Sequence, residues 1–219
     1  RRMGRNRKAK ATRRYQSILK DRRIAENGDI YVAAELDYSL QGTGMYTLFI
    51  KAYKHQAKLE VMVRIHKESR WEPENLYVAL PFTAGEKSET YLDKTGCVIR
   101  PGIDQIPGSC QDFYLIQTGV LWKTEKNSVA VITKDAPLVT MGELKAKPIV
   151  LCNGNDREHN ESPVYSWVMN NFWETNFKVN LGGFYEFSYT LLLDQEKTPK
   201  ELYEICESEN EGLLAYYTE

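Results

Sequence analysis

Eight residues in two stretches have the types and spacing to recognise a sugar. They are Arg100, Asp104, Gln105 and Tyr114 in the run from Arg100 to Tyr114, and Asn170, Asn171, Trp173 and Asn176 in the run from Tyr165 to Phe177. A carbohydrate presents apolar C–H faces, which stack on Trp and Tyr, and a rim of hydroxyls that suits Asn, Gln, Asp and Arg. Both stretches interrupt strand-like sequence, and loops of this composition are more often shaped for contact than for connection alone. An architectural reading stays open beside the one of sugar or interdomain contact. Arg100 can clamp Asp104 across the Pro101-Gly102 turn by a charge-assisted bond, Asn171 can cap a turn, and Tyr165 and Trp167 alternate like core residues.

Catalytic machinery is sparse. The three histidines, His55, His66 and His159, have no metal-ligand partner at useful spacing and are expected at the surface. No nucleophile elbow, P-loop or dinucleotide fingerprint is present. A glycosidase needs only two carboxylates facing each other across a bond, and Asp104 with Asp112, or Glu72 with Glu74, are the pairs on offer. Nothing in the sequence makes either pair converge. We therefore expect no catalytic residue, metal ligand or cofactor in this chain, and no activity from it alone.

The elements that must position the two stretches are strands. Ile30 to Tyr38 alternates apolar and polar residues with period two, as do Met45 to Tyr53 and Leu59 to His66, and short turns between them imply an antiparallel meander. The texture returns at Leu76 to Phe82, Asp112 to Thr118, Val120 to Lys123, Ser128 to Thr133, Ile149 to Cys152, Val164 to Met169 and Phe184 to Leu193. Strands without intervening helices exclude a βαβ architecture and point to a large sandwich or barrel. One helix start is clear. Thr198-Pro199-Lys200-Glu201 combines a capping hydroxyl, a proline at the first helical position and a glutamate three residues after the cap, and Leu202, Ile205 and Cys206 share a face. This helix is expected at the sheet edge. The segments expected to be least ordered are 1 to 14, Gly154 to Ser162 and Ser208 to Gly212.

The 219 residues carry 27% charged and 42% hydrophobic side chains, ordinary for a globular domain, with no apolar run of membrane-spanning length and no signal peptide pattern. The net charge of −1 hides a division. Of 29 basic and 30 acidic residues, eleven and one fall in residues 1 to 23, leaving 18 and 29, a net of −11, in the remainder. The basic arm has only Tyr15 as an aromatic, so a nucleic acid partner is not expected. Cys97, Cys110, Cys152 and Cys206 stand too far apart for a zinc ribbon or redox motif, and reduced thiols in a cytoplasmic setting are the expectation.

Taken together with Trp71-Glu72-Pro73-Glu74-Asn75-Leu76-Tyr77-Val78-Ala79-Leu80-Pro81-Phe82 and Asp135-Ala136-Pro137-Leu138-Val139, the two long stretches resemble the C-terminal β-sandwich region of alpha-mannosidase-like glycoside hydrolases of family 38, particularly their bacterial branch. The likeness runs over about residues 30 to 193. It implies an all-β fold, a large antiparallel two-sheet supersandwich of the galactose mutarotase kind, here with one short C-terminal helix. It also implies an upstream α/β barrel-like catalytic domain that holds zinc and a carboxylate nucleophile. On this reading residues 1–29 are a basic segment, partly ordered or a linker to that domain, and 30–219 are the sandwich. The sequence opens at Arg1 rather than at methionine, in keeping with part of a longer chain.

The function so implied is a non-catalytic sandwich that packs on the catalytic domain of a glycosidase and helps to shape its sugar site. The alternatives are a free-standing carbohydrate-binding or interaction module and, third, a mutarotase- or epimerase-like enzyme. A sandwich made for a partner should also leave an apolar patch exposed, with Phe113, Tyr114, Phe172 and Trp173 as contributors, and should self-associate when alone.

Overall fold

A computed structural model describes residues 13–142, 144, 163–171, 178, 180–195, 197–213, 215 and 217. In chain order the strands are β1 (Ile18–Asn27), β2 (Tyr31–Ser39), β3 (Thr43–Tyr53), β4 (Lys58–Lys67), β5 (Asn75–Leu80), β6 (Glu89–Lys94), β7 (Cys97–Ile99), β8 (Tyr114–Leu115), β9 (Gly119–Lys123), β10 (Asn127–Thr133), β11 (Leu138–Met141), β12 (Val164–Asn170) and β13 (Gly183–Gln195), followed by helix α1 (Pro199–Glu211). They form two antiparallel sheets. The larger runs β1-β2-β3-β4-β13-β10-β9-β6-β7 and the smaller β5-β12-β11-β8. The fold is an all-β sandwich with one short helix, which settles the choice between sandwich and barrel that the alternation left open. No described helix is long and apolar enough to cross a membrane.

Period two explains the layers. On β9 and β10, Val120, Trp122, Val129 and Val131 point into the core between the sheets, where they meet Leu80, Val139 and Val164 of the small sheet. The intervening Leu121, Ala130 and Ile132 point the other way and are buried beneath Leu202 and Cys206 of α1. These two strands are therefore apolar on both faces, and α1 lies across the outer face of the large sheet rather than at its edge. The capping box at Thr198 and Glu201 forms as read from the sequence. Lys58 of β4 adds an ion pair to Glu209 of the helix at 2.6 Å. Gly119 leaves room for the backbone of β10, since a Cβ there would meet the Val131 carbonyl oxygen at 2.7 Å.

Part of the basic N-terminal segment is a strand, β1, which pairs with β2 along its length at the rim of the large sheet. Three expectations besides the helix position change. The strand expected over Asp112 to Thr118 is reduced to Tyr114–Leu115. The buried carboxylate of Asp93 explains this: it accepts the amides of Gln117, Thr118 and Gly119 at 3.1, 2.6 and 3.1 Å, together with the Thr118 hydroxyl, so those groups leave the ladder. Tyr114 is buried in the sandwich core and not part of an exposed patch. Ser208 to Glu211 continue the helix, with Gly212 at its end in a positive-φ conformation. The strand expected at Ile149 to Cys152 lies outside the described residues.

Candidate functional site

The first set of residues sits between β7 and β8. Arg100 Nε and Nη2 donate to Asp104 Oδ2 and Oδ1 at 3.0 and 2.9 Å, and the Arg100 amide adds a third bond at 2.8 Å. These bonds hold the Asp104 carboxyl below its usual range and raise the Arg100 guanidinium. Gln105 is the second clamp. Its Oε1 accepts from the Gly102 amide at 2.6 Å and the Tyr114 hydroxyl at 3.1 Å, while Nε2 donates to the Ser109 hydroxyl and the Cys110 carbonyl, both at 3.3 Å. All four residues singled out in this loop thus bond within it. Two of the five guanidinium donors of Arg100 point at Asp104, and Ile103 and Ile106 are exposed at the loop surface.

The second set sits where β12 ends against the loop between β4 and β5. Asn171, 5% exposed, donates from Nδ2 to the carbonyls of Arg70 and Glu72 at 3.3 and 2.8 Å and accepts the Glu74 amide at 2.8 Å. Asn170 donates to Asn75 Oδ1 at 2.6 Å, and the same oxygen receives the Trp167 indole at 3.1 Å. Buried Lys67 closes the base of this loop, with Glu74 Oε1 at 2.5 Å and the carbonyls of Gly42 and Glu68 at 3.2 and 3.1 Å. Trp173 and Asn176 lie outside the described residues.

This arrangement reveals a residue that the sequence reading left out. Trp71 stands between the two carbonyls pinned by Asn171, yet its side chain is 71% exposed. The backbone on either side of it is fixed while the indole faces solvent. Its signal was a tryptophan outside any strand alternation, ahead of a Pro-containing run.

An aromatic wall joins the two sets across the outer face of the small sheet. Tyr77, Tyr165 and Trp167 alternate with the inward Val78, Val164 and Ser166, and Phe113 leads from the first loop onto Trp167 at 6.1 Å between ring centroids. Tyr77 lies 5.5 Å from Trp167 and 6.3 Å from Tyr165, and burial pushes its hydroxyl up to about 12. Phe113, Trp167, Asn75 and Asn170 are in this way consecutive contacts from one loop to the other.

Among the described residues, neither candidate carboxylate pair has both members free to serve as acid and base. Asp104 is held ionised by Arg100, the opposite of what a general acid needs, and Glu74 is taken by Lys67. His55 and His66 are exposed, and His159 lies outside the described residues. Among the described residues no three His, Cys, Asp or Glu side chains are placed to hold a metal ion. Cys97 and Cys110 are exposed free thiols and Cys206 a buried one.

By fold, the chain is an antiparallel β-sandwich. Among solved structures it is similar to an alpha-mannosidase from Enterococcus faecalis V583, with a TM-score of 0.57 and 12% sequence identity over 90% of this chain. The chain spans 24% of the length of that protein. No protein-family model and no curated protein matches the sequence.

Proposed function

We propose that this chain is a non-catalytic β-sandwich of an alpha-mannosidase-like glycoside hydrolase of family 38, packing on a catalytic domain and lending Arg100, Asp104, Gln105, Asn170, Trp173 and Asn176 to the margin of its sugar site, while buried Tyr114 and Asn171 hold the two loops in shape rather than meet the sugar. The observation that carries the reading is the likeness in fold, over nine-tenths of this chain, to about a quarter of an alpha-mannosidase. The clamped loops are consistent with it: a rim is useful only if its donors are held in place before the substrate arrives. Zinc and the nucleophile would belong to the upstream domain. Carbohydrate and that domain are the partners.

Exposed Trp71 favours, as a second reading, a carbohydrate-binding module that works without an enzymatic partner. A mutarotase-like enzyme fits less well, because it needs a general acid and base facing a concave sheet, and the described histidines are solvated. The first reading is tested by assaying the purified chain on an aryl alpha-mannoside with zinc supplied. It requires no turnover. Sustained turnover that survives inhibitor controls contradicts it.

A further inference from the structure

Leu92, Asp93 and Lys94 of β6 close the stem of the first loop from both sides. At the entry, Leu92 and Asp93 pair with Ile99 and Val98 of β7, the strand that leads into Arg100. At the exit, the Asp93 carboxylate accepts the amides of Gln117, Thr118 and Gly119, and Lys94 Nζ donates to the Leu115 carbonyl at 2.8 Å. Period two places Leu92 in the core between the sheets and turns Tyr91 and Asp93 to the opposite face, toward α1. Val98, Asp93, Gly119 and Ile132 stand side by side across β7, β6, β9 and β10, and Val98 and Ile132 in this row pack with Leu202 and Cys206 of the helix. Asp93, between them, is 1% exposed. The Cys206 thiol, raised chiefly by burial, is raised further by the Asp93 charge. Tyr91 makes a second link from the helix to the loop. It packs against the same apolar cluster, and its hydroxyl, raised by burial and by a bond to Glu89, also feels the charges of Arg100 and Asp104.

The hold on the helix is slight for what lies beneath it. Of its thirteen residues two, Leu202 and Cys206, are buried. Its last turn has no basic residue where the helix dipole favours one, and Glu209 there relies on Lys58 of β4 at 2.6 Å. An element with few buried side chains opens before the core does. We propose that α1 is a strap: docked, it keeps the stem of the first loop dry and ordered, and its release, as a unit and ahead of the sheets, lets water reach Asp93 and loosens the Arg100–Asp104 clamp. Water at Asp93 competes for the Thr118 and Gly119 amides and the Thr118 hydroxyl, whose bonds owe their strength to a dry site. The order of the loop then follows the helix. That this loop borders a sugar site is the proposed function, and the regulatory use of the strap rests on it; the coupling of helix to loop does not.

The test reads amide exchange at Thr118 and Gly119 and the bonded shift of the Arg100 Nε–H by NMR on the whole chain. Leu202→Asp undocks α1, Leu202→Met keeps an apolar side chain in its place, and Val63→Ala weakens the core between the sheets without touching the helix. Leu202→Asp should speed exchange at Thr118 and Gly119 at least tenfold and move the Arg100 Nε–H toward its free shift, while the amides of β3 and β4 keep the parent rate. Leu202→Met should restore the parent pattern, and Val63→Ala should not single out Thr118 and Gly119. If Leu202→Asp does not fold, Glu209→Lys, which only reverses the charge facing Lys58, should give the same pattern at about threefold. Exchange at Thr118 and Gly119 that stays at the parent rate while iodoacetamide reaches Cys206 in the folded chain overturns the proposal. Acceleration shared equally by β3 and β4 overturns it as well. Mannoside hydrolysis by the intact glycosidase of the proposed function separates the two readings: a loosened loop with unaltered turnover takes the loop away from the sugar margin and leaves the strap standing.

Discussion

Asn171 and Glu74 hold each other through two reciprocal bonds: the Glu74 amide donates to Asn171 Oδ1 at 2.8 Å, and the Asn171 amide donates to the Glu74 carbonyl at 3.3 Å. With its Nδ2 on the carbonyls of Arg70 and Glu72, one buried amide organises the whole turn that presents Trp71. Truncation to Asn171→Ala removes three side-chain bonds and leaves partly buried backbone groups without partners, a cost of about 3 kcal/mol. We expect a clear fall in melting temperature and greater rotational freedom of the Trp71 indole by time-resolved fluorescence. Unchanged stability would show that the turn holds itself.

Asp93 and Thr118 form the other buried anchor, with the carboxylate also accepting from Gln117 and Gly119. Asp93→Ala should destabilise by about 3 kcal/mol or more, because the Thr118 and Gly119 amides and the Thr118 hydroxyl lose their acceptor in a buried site, while the Gln117 amide keeps the Asp93 carbonyl at 3.2 Å. Asp93→Asn should be costly as well, since its amide presents N–H groups to donors. Chemical denaturation measures both. A midpoint within error of the parent chain would contradict this role.

The contrast between these anchors and the strands marks the reach of the sequence. Alternation showed β2, β3 and β4 because one face of each is polar, and the capping box showed α1 because all its parts lie within four residues. By contrast, β1 reads as a charged arm, and only its pairing with β2 makes it a strand. The function of Asp93 depends on amides 24 to 26 residues further on, a distance that no local pattern spans. The Arg100 to Asp104 clamp was legible, being i to i+4. That Tyr114 turns inward to Gln105 was not, because only Tyr114 and Leu115 form a ladder there.

Burial raises the Cys206 thiol to about 12, so almost none of it is thiolate at pH 8. Iodoacetamide at that pH should label exposed Cys97 and Cys110 in the folded chain and reach Cys206 only after denaturant releases α1. Mass spectrometry of the labelled peptides reads this directly. Early labelling of Cys206 would mean that the helix leaves the sheet readily.

The Asp104 clamp has a defined dependence on pH. Its folded carboxyl lies below the ordinary Asp value, so its contribution is complete above roughly pH 3.9, the unfolded value, and is lost only as pH falls through the lower folded value. The Arg100 Nε–H resonance should therefore keep its bonded shift from pH 7 to about 4. Loss of that shift already above pH 5 would contradict the pairing.

If the proposed function holds, this sandwich completes a glycosidase whose chemistry lies in a separate catalytic domain of the same protein. Reconstitution in trans measures this: the catalytic domain is purified without residues 1–219, and hydrolysis of an aryl alpha-mannoside is followed as this chain is added. Each part alone should be at background, and the mixture should gain at least tenfold in rate, saturating at equimolar chain. A catalytic domain that is fully active by itself and indifferent to the added chain would rule the proposed function out.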